Sequence, residues 1–308
     1  MDTTFQFFQV GNDYFENVVT YNRFGEPVIR IIARSKGYIK ELIGKNGLKN
    51  MRKYVAFTVC PDNRKGSWSN TICNCYNLYN PPSYEPIEGD CNVTLDFIQH
   101  IFGRELVKIS DTLTVPRYEL GLDYLKLLYE HPTQPLPMLL LHSDDRQTGK
   151  STFLRWLDEM FYWNTANIDT DQQLLSDFNA EWASKLIISI DEARLDKDAI
   201  LSKIKRLSTT DKIVMNQKGV DQHQLPFFAK FIFATNDYNA PEGERRFWAI
   251  EVPKVDKINC QLLPQLIQEI PHFLHYISNR SYVTTCDSRE WFSYDIAAQI
   301  SSLSTPGL

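Results

Sequence analysis

The stretch Met138-Leu-Leu-Leu-His-Ser-Asp-Asp-Arg-Gln-Thr-Gly-Lys-Ser-Thr152 decides how the rest of the chain is read. Met138–Leu141 is a short apolar run after Pro137, which fits a buried strand. It leads through SDDRQTGKST (143–152) into a segment in which Phe153, Leu154, Leu157, Met160 and Phe161 share one helical face, with no Gly or Pro to break it. Strand, loop, Gly149-Lys150-Ser151 and helix form the layout of a phosphate-binding loop. Backbone N–H groups at the helix start point at phosphate oxygens, and the helix dipole adds positive potential. Thr148, Gly149, Lys150, Ser151 and Thr152 are therefore the expected ATP contacts. Lys150 would neutralise β/γ-phosphate charge, and the Ser151 hydroxyl would ligate Mg²⁺. The general pattern has Gly where this chain has Asp144, and the competing reading is a glycine turn beside a surface lysine.

Downstream, Leu186–Ile190 reads as a buried strand ending in Asp191-Glu192. Two acids at such an edge are costly unless they face solvent or a cation. As a Walker B pair, Asp191 would hold the Mg²⁺ shell and Glu192 would act as general base. The alternative is an acidic N-cap for the helix in LDKDAILSKIKRL. A third apolar run, Phe231–Thr235, ends in Asn236, whose amide could reach the γ-phosphate if the strand lies between the other two; otherwise it starts a turn. Arg245 and Arg246 follow, as an arginine finger supplied by a neighbouring subunit or as a surface ion pair to Glu242 or Glu244.

Between the second and third strands, residues 203–218 carry Lys203, Lys205, Arg206, Lys212 and Lys218 against one acid, Asp211. The chain as a whole has net charge −5, so this is a local reversal. Gln217-Lys218-Gly219-Val220 has the composition of a hairpin tip, making Lys218, Lys212 and Gly219 candidate contacts to a DNA backbone. A solvated helix face followed by an ordinary turn is the alternative.

A length of 308 residues predicts two compact units, or one large α/β domain with appendages. The apolar content, 43%, is enough for a core, and no apolar run approaches membrane-spanning length. MDTTFQFFQV has no basic segment ahead of an apolar one, so a cytoplasmic protein is expected. The six cysteines read as reduced thiols rather than zinc ligands, since no CxxC pair is present. Short β-like runs are expected at Phe5–Val10, Val28–Ala33 and Tyr54–Val59, a loop connector at 61–90, and helices from Thr94 onward.

The features, in this order, resemble a superfamily 3 helicase of the AAA+ class, most closely the primase-helicase family of phages and bacterial mobile elements. The resemblance includes CYNLYNPP (75–82), DFIQHIFG (96–103), LGLDYLKLLYEHPTQPLP (120–137), SDDRQTGKSTFL (143–154), FNAEWASKLIISIDEARL (178–195), FFAKFIFATN (227–236) and ERRFW (244–248). It covers roughly residues 70–255. It implies a P-loop AAA+ core with a parallel central sheet, bound ATP and Mg²⁺, a hexameric ring and 3′-to-5′ movement on single-stranded DNA. It also implies that an acid is ordinary at position 144 and that Arg246 is the finger rather than Arg245; the primase or polymerase region often found ahead of such a module is not expected here, so any priming that is needed would come from a separate primase or polymerase.

The expected layout is a mixed α/β region at 1–92 for oligomerisation or linkage, a helical segment at 93–135, the ATPase motor at 136–255 and a helical subdomain at 256–308. Two rival functions keep the nucleotide motifs: a remodelling or packaging ATPase with a protein client, and a nucleotide-gated assembly module without appreciable turnover. A monomeric kinase leaves the basic hairpin and the arginine pair without a role.

Overall fold

The structure, a computed structural model, describes residues 6–21, 27–63, 68–108, 113–192, 198–236, 246–255 and 257–283. It is mixed α/β, with a five-stranded parallel sheet as its central feature.

The chain begins with β1 (Phe7–Val10), β2 (Asp13–Tyr21), β3 (Pro27–Arg34), α1 (Lys36–Asn50) and β4 (Arg52–Tyr54). The sheet order is β3-β2-β1-β4; β1 to β3 run antiparallel, and α1 carries the chain over so that β4 pairs parallel to β1. The expected first and second runs are strands, although Phe5 lies outside the described residues. The third run is interrupted: β4 stops at Tyr54 and β5 (Phe57–Thr58) joins another sheet. Helix α1 is not legible in the sequence because Gly37, Gly44 and Gly47 dilute its period and only Ile39 is buried. Its Ser35 cap, accepting from Tyr38 N–H at 3.1 Å, starts it, and Gly44 at φ +69° kinks it.

The expected loop at 61–90 is a correction. It contains β6 (Thr71–Ile72) and β7 (Cys75–Asn77), which form a small sheet with β5 in the order β5-β7-β6. Cys73 and Asn74, both at positive φ, make the tight turn between β6 and β7. The Asn77 amide bridges Cys60 N–H at 2.9 Å and Cys60 C=O at 3.0 Å, and the buried Tyr79 hydroxyl donates to Asn63 Oδ1 at 2.6 Å. Side-chain bonds, which leave no periodic signature, hold this segment.

Helix α2 (Asn92–Phe102) buries Phe97, Ile98, Ile101 and Phe102. A short hairpin, β8 (Leu106–Lys108) and β9 (Thr114–Pro116), separates it from α3 (Arg117–Glu130). The central region then runs β10 (Met138–His142), α4 (Lys150–Met160), β11 (Thr165–Asn167), α5 (Asp171–Leu175), β12 (Ile187–Asp191), α6 (Asp198–Leu207), β13 (Lys212–Met215), β14 (His223–Pro226), β15 (Lys230–Thr235), β16 (Phe247–Glu251) and α7 (Leu262–Asn279). The parallel sheet has the order β11-β12-β15-β10-β16. Parallel strands must be covered on both faces, and alternate residues divide accordingly. Leu139, Leu141, Ile232 and Ala234 enter one core with Phe153 and Leu157 of α4, while Leu140, Ile188, Phe231 and Phe233 enter a second with Ile204 of α6.

From the segment expected as a helical tail, α7 packs on α2, α3 and α4 and buries Leu266, Ile270, Phe273, Leu274 and Ile277 in the same core. The remainder, 284–308, lies outside the described residues. Among the described residues no helix is long and apolar enough to cross a membrane.

Candidate functional site

The loop after β10 ends at Gly149, which caps α4 in the left-handed conformation, φ +93° and ψ −3°. A Cβ there would also come within 3.1 Å of Phe97 Cε2, a tight contact that adds to the preference of the left-handed backbone for glycine. Asp144 is not among the positive-φ residues; the other one in the loop is Gln147, at φ +62°. The backbone therefore does not require glycine at 144. The loop is fixed from outside: His100 Nε2 lies 2.9 Å from Thr148 O, and Val255 N–H donates to Gln147 O at 3.4 Å. Asp145 N–H also donates to Ser143 Oγ at 3.2 Å.

Lys150 is buried at the start of α4 and its Nζ donates to Thr148 Oγ1 at 3.0 Å and Asn236 Oδ1 at 2.8 Å. Burial pulls its pKa down, and the Asp191 and Asp145 carboxylates oppose that shift. The registers His142↔Thr235 and Asp191↔Ala234 bring the carboxyl ends of β10, β15 and β12 side by side. Asp191 and Asn236 thus flank the loop that carries Lys150. Asp191 is exposed, and its Oδ1 accepts Glu192 N–H at 3.1 Å. Glu192 stands at φ +57°, a conformation that costs a non-glycine residue about 1–3 kcal/mol and tends to occur at functional sites. Residues 146–152, Asp191, Glu192, Thr235 and Asn236 enclose a cleft of ≈ 200 Å³. Ser151 is exposed at its mouth and Thr152 is half-buried. The described part of α6 runs from Asp198, and the residues between it and Glu192, on which the capping alternative depends, lie outside the described residues.

His142, at the tip of β10, has its pKa pushed down to about 4, mainly by burial. Asp144 opposes the shift, while Lys150 and Arg117 add to it. His142, Thr235 and Arg146 also stand at this cleft or beside it, and their one signal in the sequence is a position next to a motif at a strand end.

The arginines lie elsewhere. Arg245 is outside the described residues. Arg246 is half-buried and its carbonyl accepts Met138 N–H at 2.9 Å, at the amino edge of the sheet. Lys150 lies beyond the opposite edge, a five-residue strand of about 16 Å away.

In the basic segment, β13 and β14 pair antiparallel from Lys212↔Pro226 to Met215↔His223. Lys218 and Gly219 are exposed in the connecting loop, with Gly219 at φ +77°, whereas Lys212 lies at the hairpin base. The loop is tied by Asn216 N–H to Asn179 Oδ1 (2.8 Å) and Asp221 N–H to Asp13 Oδ2 (2.8 Å). Asn216, Gln217 and Lys218 form one wall of a groove of ≈ 500 Å³ that also holds Phe178, 55% exposed. Phe178 has no periodic role in the sequence, which therefore gives no signal for it.

A model of a family of unknown function, DUF5906, matches residues 141–246. The DNA Primase-polymerase of Nitratiruptor phage NrS-1 is 20% identical over 240 residues, 75% of this chain and 32% of that protein. This chain spans about a third of the length of that curated relative. The A form apo structure of the NrS-1 C-terminal region aligns over 97% of this chain and 72% of that one, with a TM-score of 0.67 at 15% identity. A further apo structure of that region gives 0.65, covering 93% and 72% at 15% identity. The two proteins share a fold across nearly the whole of this chain.

Proposed function

We propose that the chain is a Mg²⁺-dependent ATPase of the P-loop AAA+ class, of superfamily 3 helicase type. In this reading residues 136–255 are its motor, and a ring of copies, expected to be a hexamer, draws single-stranded DNA through its centre. The setting would be cytoplasmic replication of a phage, plasmid or other mobile element, with priming by a primase or polymerase. The observation that carries the reading is the meeting of Lys150, Asp191 and Asn236 at the carboxyl ends of three adjacent parallel strands. Ligands of open parallel sheets bind at that end. The position of β15 between β10 and β12 supports it, as an inserted strand should carry its amide to the γ-phosphate. The likeness in fold to part of a phage primase-polymerase supports a replicative setting.

The residues suit a magnesium nucleotide. The first turn of α4 has no acid, and the oxygens bonded to Lys150 belong to Thr148 and Asn236, so among the described residues no hydrogen-bonded carboxylate offsets its charge. Ser151 and Asp191 offer the hard oxygen ligands that Mg²⁺ prefers. Magnesium and ATP, when bound, supply the phosphoanhydride and the cation that spreads its charge. Lys150 and the N–H groups of Gly149 to Thr152 would hold the phosphates, Asn236 would orient the water, and Glu192 would accept its proton. Arg246, with Arg245 beside it, would complete a neighbouring copy's cleft, and Lys218 would grip the DNA.

Phosphate release with and without single-stranded DNA tests this. Lys150→Ala is expected to abolish turnover, and Glu192→Gln to retain bound ATP. Release indifferent to DNA would favour a protein client, and absence of release under every DNA and oligomer condition would leave only a nucleotide-gated assembly module.

A further inference from the structure

A cavity of ≈ 760 Å³ opens well apart from the Lys150 cleft, between the amino-terminal sheet, the 61–90 segment and Trp163. The sheet side is made by two cross-strand rungs, Asn17↔Ile31 and Val19↔Ile29. Phe15, on the same face of β2, is buried against Phe8 and Phe57, so the inner face passes from core to open cavity within two rungs. Three aromatic rings complete the walls: Trp68, Tyr76 and Trp163. Two of them are held in place. Trp68 Nε1–H donates to Tyr79 O at 2.8 Å, and Tyr76 stacks on Phe8 with centroids 4.6 Å apart and planes 7° from parallel. Carboxamides of Asn17, Asn70 and Asn80 supply polar edges.

The charge pattern narrows the ligand. Among the described residues no Lys or Arg lines the cavity, and its single carboxylate, Glu16, is engaged by Arg34 Nε at 2.7 Å and Gln6 Nε2 at 3.0 Å. Among the described residues the walls offer aromatic faces and amide edges and no cationic side chain for a phosphate. The fitting ligand is neutral and flat, apolar on its faces and hydrogen-bonding at its rim. That is the chemistry of an unpaired nucleobase, stacked on aromatic rings with its edge read by amides. The position agrees. β2 begins at Asp13, whose carboxylate holds the hairpin loop through Asp221, and Asn17 and Val19 lie four and six residues farther along. At about 3.3 Å per residue, the cavity is about 13–20 Å from that joint.

We infer that this cavity receives a base of the single strand held by the hairpin, with the sugar and phosphate left outside. The inference rests on the DNA reading above, and two arms separate the failure of one from the failure of the other. In the first, the full chain is photocrosslinked to an oligothymidylate carrying 5-iodouracil and its affinity is read by fluorescence anisotropy. Val19→Trp fills the cavity without removing a hydrogen bond, and Trp163→Phe keeps a ring there; circular dichroism checks that each folds. Crosslinks are expected at Trp68, Tyr76 or Trp163. Val19→Trp should erase them and weaken binding about tenfold, as expected for one lost stacked base, while Trp163→Phe stays near wild type. Crosslinks confined to the hairpin, with affinity unmoved by Val19→Trp, overturn the inference.

The second arm titrates free thymidine and adenosine against tryptophan emission. If oligonucleotides fail to bind at all, the DNA reading falls. Saturable quenching that Val19→Trp removes would then keep the cavity as a site for free nucleosides. No quenching, or a change only in self-association on Val19→Trp, assigns the cavity to a protein side chain and ends the proposal.

Discussion

Gly149 is the residue with the least freedom to change. Its φ of +93° and the 3.1 Å approach of Phe97 to any added methyl both oppose alanine. Gly149→Ala is expected to cost about 1–2 kcal/mol of stability from the left-handed backbone alone. It should also lower ATP affinity, because relief of the contact tilts the first turn of α4; nucleotide titration and thermal melting read the two effects. Unchanged values for both would show that the loop adapts without loss. His142 yields a pH prediction. Burial holds its folded pKa at about 4, against 6.5 for the free side chain, so the unfolded chain takes the proton more readily. Its contribution to stability is complete above pH 6.5 and is lost as pH falls toward 4. His142→Gln should therefore flatten the decline in Tm across that window, and an unaltered slope would reassign it to carboxylates. The Gly149-Lys150-Ser151 run is legible because the left-handed turn into α4 and the proposed phosphate contacts both act within a few residues. The depressed His142 is not, since its burial depends on strands distant in sequence.

The β13–β14 hairpin separates two lysines that adjacency in sequence groups together. Lys218 sits in the exposed loop beside Gly219, and Lys212 lies at the base opposite Pro226. Lys218→Ala should weaken single-stranded DNA binding and reduce the slope of log affinity against log salt by about 0.7 per lost contact. Lys212→Ala should leave that slope nearly unchanged. Equal loss from both would show that the strand runs along the hairpin rather than across its tip. The hairpin is readable from Gly219 and the flanking β-branched residues. Helix α1 and the small β5-β7-β6 sheet are not. Three glycines dilute the apolar period of the helix, and two- and three-residue strands held by the Asn77 amide have none.

For the whole molecule, the decisive fact is that Arg246 and Lys150 belong to opposite ends of the parallel sheet. If Arg246 acts on phosphate as proposed, its place about 16 Å from its own cleft assigns that action to a neighbouring copy. Mixtures of Arg246→Ala and Lys150→Ala chains, each inactive alone, should regain ATPase activity, since some interfaces then pair an intact lysine with an intact arginine. Absence of rescue at every ratio would remove Arg246 from the chemistry. The same scale explains α7. Its buried face joins α2, α3 and α4, and Glu269 accepts both Thr94 N–H and Thr94 Oγ1–H at 2.7 Å, capping α2.

The sequence alone determined the strands of the central sheet and the polar runs at their ends that are proposed to hold nucleotide. Apolar runs ending in Gly149-Lys150, Asp191-Glu192 and Asn236 reflect constraints that act within a few residues. Only the tertiary structure decided which strand lies beside which, that β16 closes the sheet beyond β10, and that the hairpin loop rests on Asp13. Those outcomes depend on burying both faces of a parallel sheet and satisfying polar groups across long loops. Such constraints couple residues far apart in the chain and leave little local trace.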